Sequence, residues 1–83
     1  MSQTSRPYPL ALTPEGQRVK IVSLRAGRGM ERRLLSMGLT VGSVVEVIAR
    51  QPGGAIVVGY QDTRIALGAG MAHKIAVMSC EDI

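Results

Sequence analysis

Gly38 is the residue that most narrows what this chain can fold into. Before it, Met30, Leu34, Leu35 and Met37 stand at i, i+4, i+5 and i+7, the spacing of one helical face, with Glu31, Arg32, Arg33 and Ser36 on the other side. A glycine directly after such a run supplies the left-handed residue that ends a helix, because only glycine takes that conformation without a Cβ penalty. Leu39 is then placed to fold back on the last turn, with Leu34 as its partner. So short a helix, about 30–37, does not persist alone in water and must be held by packing. Thr40-Val41-Gly42-Ser43 follows as a tight turn, and Val44 to Tyr60 as a β-hairpin with the tip Gln51-Pro52-Gly53-Gly54.

The rest of the chain reads as more short strands. Tyr8 to Leu12 is a candidate edge strand, since Pro9 has no N–H to give a ladder. Thr13-Pro14-Glu15-Gly16 reads as a turn with proline second and glycine fourth. Arg18 to Leu24 alternates, with Val19, Ile21 and Ser23 on one face and Lys20, Val22 and Leu24 on the other. In Val44 to Arg50, Val45, Val47 and Ala49 face the core and Glu46 and Arg50 face water. Ala55 to Tyr60, a turn at Gln61-Asp62-Thr63, and Arg64 to Leu67 come next. Gly68 to His73 reads as a loop or a single helical turn (about 69–73), and Lys74 to Met78 as the last strand. Five or six strands joined by tight turns predict a mainly β domain, a small barrel or a strongly bent sheet with one inserted helix. Residues 1–7 read as a disordered tail, 8–79 as the domain and 80–83 as a C-terminal tail.

With 83 residues there is room for one domain. Nine Val, seven Leu and six Ile supply an aliphatic core without Phe or Trp. The single cysteine, Cys80, excludes an internal disulfide and fits a reducing compartment. No stretch approaches the roughly 20 apolar residues that span a bilayer, and no apolar run follows the first basic residue as in a signal peptide. These features predict a cytoplasmic protein without direct membrane insertion.

Catalytic patterns are missing. There is no nucleophile elbow and no acidic pair at catalytic spacing; Asp62 sits in a turn, and Glu81 and Asp82 lie in the tail. Gly27-Arg28-Gly29 precedes a helix but lacks the spacing and the Lys-Ser/Thr of a phosphate loop. No His/Cys pair has structural-zinc spacing, which leaves His73 and Cys80 as weak candidate ligands for a divalent transition metal, iron or zinc. Met30, Met37, Met71 and Met78 suit core packing. Arg18, Lys20, Arg25, Arg28, Arg32 and Arg33 are opposed only by Glu31 in their stretch. Without aromatic stacking residues or a helix-turn-helix, that basic stretch does not predict nucleic-acid binding. It serves either solubility or an acidic protein face. The reading is a binding module, not an enzyme.

The run Arg33-Leu34-Leu35-Ser36-Met37-Gly38-Leu39-Thr40-Val41-Gly42-Ser43, then Val45 and Val47, closely resembles the FeoA family of small ferrous-iron-transport accessory proteins. Pro52-Gly53-Gly54, Ala55 to Val58, Ile65-Ala66-Leu67, Ala72 and Ile75 follow in the family's order, so the resemblance spans about residues 9–79. The tip is shorter than the family's, and Gly68 stands where an arginine is common. The resemblance implies an SH3-like β-barrel with an inserted helix. It implies as partner FeoB, the GTP-hydrolysing membrane transporter of ferrous iron, through its cytosolic part. Self-association stays open.

The expected contact surface combines Arg32 and Arg33 with the turn Leu39 to Ser43, above all Leu39 and Val41, and with the tip Gln51, Pro52, Gly53 and Gly54. Leu34, Leu35 and Val45 are expected to hold that surface from the core. The alternative is a small domain that binds a transition metal directly as sensor or carrier.

Overall fold

The computed structural model describes residues 6–25 and 27–80. Most of both expected tails, residues 1–5 and 81–83, lies outside them, as does Ala26. Six strands form one antiparallel sheet: β1 (Tyr8–Pro9), β2 (Arg18–Leu24), β3 (Val44–Arg50), β4 (Ile56–Tyr60), β5 (Thr63–Leu67) and β6 (Ile75–Ser79), in the order β1-β6-β2-β3-β4-β5. Helix α1 (Arg28–Ser36) joins β2 to β3, and α2 (Ala69–Lys74) joins β5 to β6. This is the mainly β architecture that the short strands predict, with the inserted helix of the SH3-like fold that the resemblance implies.

The core is aliphatic. Val19 and Ile21 of β2, Val45 and Val47 of β3, Ile56 and Val58 of β4, and Ile75 and Val77 of β6 are all buried. Period-two alternation puts these residues on one face. Two bulges break the alternation. The β2–β6 register shifts between Ile21 and Ser23, so Ser23 is exposed while Leu24 packs against the core. Ser23, which alternation groups with Val19 and Ile21, thus leaves their face: one extra residue reverses the faces after it. A second shift, between Val47 and Ala49, sets Ala49 opposite Val57 on the outer side and leaves it half-buried, which corrects its expected place facing the core.

The N-terminal strand is shorter than expected. Only Tyr8 and Pro9 pair with β6; Leu10–Leu12 forms a 3-10 turn that buries Leu10 and Ala11. The next turn also moves by one residue. Its bond runs from Gln17 N–H to the Pro14 carbonyl (3.4 Å), with Gly16 at φ 88 in the third position. A type II turn needs positive φ at that position, and glycine decides the frame.

The β4–β5 hairpin is closed by Gln61 and Asp62, at φ 50 and 67, with Tyr60 opposite Thr63. Positive φ at both central residues is the type I′ arrangement, which fits the strand twist and favours Asn-Gly. Here two residues with side chains occupy it. Replacing both, Gln61→Asn with Asp62→Gly, is expected to raise the unfolding free energy by about 1 kcal/mol. Urea unfolding with an unchanged m-value checks this.

Candidate functional site

Helix α1 starts at Gly27 without a side-chain cap and carries Glu31 in its first turn, where a carboxylate suits the positive end of the helix dipole. Its end is closed by two bonds. Gly38 N–H donates to the Leu35 carbonyl and Leu39 N–H to the Leu34 carbonyl, both at 2.9 Å, with Gly38 at φ 92. This is the Schellman pattern, and it brings Leu39 onto Leu34; each is 1% exposed.

The same geometry corrects the expectation for Leu35. It lies one residue further round the helix, is not the one that meets Leu39, and stands 63% exposed. Leu39 is corrected in the other direction: expected at the contact surface, it is part of the core.

The turn after Leu39 is rigid. Ser43 N–H donates to the Thr40 carbonyl, and Thr40 N–H donates to Ser43 Oγ, both at 3.0 Å. Gly42, at φ 102, donates to the Ile21 carbonyl (2.7 Å), and Ile21 N–H donates to the Ser43 carbonyl (2.9 Å). Those bonds pin the turn to β2 and hold Val41 out at 51% exposure.

Between the helix and this turn lies a cleft of about 170 Å³. Leu35 and Val41 flank it, Leu24 and Leu39 line it from the core side, and Glu31, Arg32 and Thr40 complete the lining. Glu31 and Arg32 precede Leu35 by four and three residues, which sets all three on neighbouring positions of one helix face. Exposed aliphatic walls with a polar rim are the anatomy of a protein-docking surface.

The structure divides the surface that the sequence suggested. Arg32 and Val41 meet in the cleft. Arg33 is exposed in the last turn of α1 and does not line it. Gln51, Pro52 and Gly53 are exposed at the far end of β3, a strand of about 20 Å at the usual rise per residue. That tip is fixed locally: Gln51 N–H donates to the Ala55 carbonyl (2.9 Å), and Gly53 takes φ 86 after Pro52. Gly54 lies so close to α2 that a Cβ there would stand 3.0 Å from that of Ala69.

Leu35, Glu31 and Leu24 are the cleft residues that the sequence reading left out of the contact surface, while Thr40 belongs to the turn it included. For Leu35 a signal existed: a Schellman ending pairs the residue after the glycine with the one at C3, here Leu34, and not with Leu35.

His73 is exposed on α2, and Cys80 is half-buried beyond the other end of β6. The whole of β6 separates them. Among the described residues no three His, Cys, Asp or Glu side chains gather as a ligand set, and no helix is long and apolar enough to cross a membrane.

The chain matches the FeoA domain family over residues 8–79. It belongs to the FeoA family. A candidate Fe(2+) transport protein A of Methanocaldococcus jannaschii is 40% identical over 74 residues, covering 89% of each chain. Among solved structures, an iron uptake regulatory protein, FeoA, superposes with a TM-score of 0.81 at 30% identity, covering 89% of this chain and 99% of that one. A manganese-dependent transcriptional repressor superposes at 0.82 with 26% identity, but the match takes up 93% of this chain and only 44% of the repressor. The FeoA fold thus occurs both as a small protein and as part of a larger one.

Proposed function

We propose that this protein is a non-enzymatic accessory of ferrous-iron uptake. It acts in the cytoplasm by docking the Leu35–Val41 cleft onto the cytosolic part of a FeoB-like transporter. Family membership and the relative named for Fe(2+) transport support the pathway. The observation that carries the mode of action is the pair of exposed aliphatic side chains held beside Arg32 by a pinned turn. Leu35 and Val41 supply affinity when covered, each worth up to about 2 kcal/mol at full burial. Arg32 steers encounter with an acidic surface, a contribution to association rate more than to lifetime.

The test is surface plasmon resonance with the transporter's cytosolic part immobilised. Wild type is expected to bind. Arg32→Glu is expected to slow association severalfold at low salt, with the difference shrinking as salt rises. Arg33→Glu, outside the cleft, is expected to change it less. Failure of the wild-type protein to bind contradicts the proposal, and equal effects of the two reversals contradict the assigned surface.

A further inference from the structure

A second cleft, of about 400 Å³, opens where the N-terminal segment, the end of β2 and α2 converge. Its floor is a row across three strands: Pro9 of β1 stands opposite Ala76 of β6, which stands opposite Ser23 of β2. The bulge in β2 turns Ser23 outward, and the ladder continues past the strand through Arg25 N–H to the Lys74 carbonyl (2.7 Å), which anchors Arg25 beside the row. Arg6, Arg25 and His73 line this cleft from three separate segments, and no carboxylate does. Among the described residues, none of these three side chains has an ion-pair or hydrogen-bond partner.

We infer that this cleft is a second binding site, and that its occupant is an acidic peptide segment of a protein partner. Two guanidiniums present forked donors suited to carboxylates, and the imidazole adds a further donor. The cleft follows the β1 edge of the sheet, where an extended segment can lie along Tyr8 and Pro9. A chain of net charge +4 favours acidic ligands in general; three basic groups around one unopposed cleft give that preference a place. This site is separate from the Leu35–Val41 cleft and does not rest on the proposed function.

The probe is a fluorescently labelled oligo-aspartate, with an oligo-serine of the same length and inorganic phosphate as comparisons. Anisotropy is expected to rise saturably with oligo-aspartate and not with oligo-serine. In a titration followed by NMR, the shifts are expected to centre on Ser23, Arg25, His73 and Ala76. Arg25→Glu and, independently, Arg6→Glu are each expected to weaken binding about tenfold. Arg6→Glu lies outside every strand and helix, so its reading does not depend on the β2 ladder. Arg33→Glu, with the same change in net charge, is expected to leave affinity nearly unchanged. An equal loss with Arg33→Glu, shifts spread over the basic surface, or phosphate binding the cleft while oligo-aspartate does not would each overturn the inference.

Discussion

Leu34→Ala is expected to remove about 3 kcal/mol of stability. Leu34 is 1% exposed and sits at the join between helix and sheet. Its carbonyl accepts the Leu39 bond that closes the helix, and its side chain meets the Leu39 side chain beneath that bond. Truncation loses the transfer free energy of the removed carbons and leaves a cavity that rigid neighbours cannot fill. Helix α1 has little stability of its own at nine residues. The loss is therefore expected to reach the turn at Thr40–Ser43 and loosen the cleft. For a domain with a total stability of order 5–15 kcal/mol, this is a large fraction. Urea unfolding should show a lower midpoint at unchanged m-value, whereas Leu35→Ala, one residue away and exposed, should stay within about 0.5 kcal/mol of wild type.

That contrast marks where sequence patterns stop being informative. The helix, its end at Gly38 and the Leu34–Leu39 pair were legible because a left-handed residue and a C-terminal fold-back leave few alternatives. The apolar arc of α1 did not distinguish Leu34 from Leu35, since both lie within the width of a buried stripe; the choice is made by which residue the Schellman bond sets under Leu39. Alternation identifies the inner face of β3 through Val45 and Val47, but a bulge is silent in composition, so alternation groups Ser23 with Ile21 and Ala49 with Val47 where the structure sets both on the other side. Pro9 identified an edge, while the 3-10 turn at Leu10–Leu12 depends on packing across the sheet end. The separation of Gln51–Gly53 from Arg32 and Val41 is a matter of strand length and direction. Residues close in sequence across a hairpin strand are carried to opposite ends of it.

The contact surface carries the account's central claim, and Leu35→Gln is the substitution with the largest expected effect on it. Leu35 is among the most exposed large apolar residues described, and Val41 faces the same cleft at 51%. Glutamine retains a helix propensity close to that of leucine, so α1 should form as before. In a covered interface the same change removes buried aliphatic area and leaves an amide without assured partners. A loss of about 2 kcal/mol, roughly thirtyfold in affinity, is the expected scale for a central apolar contact. Calorimetric titration of the transporter's cytosolic part into wild type, Leu35→Gln and Gln51→Glu measures it directly. The account predicts weakened binding for Leu35→Gln and near wild-type affinity for Gln51→Glu at the tip. Unchanged affinity for Leu35→Gln, or an equal loss at Gln51, would contradict it.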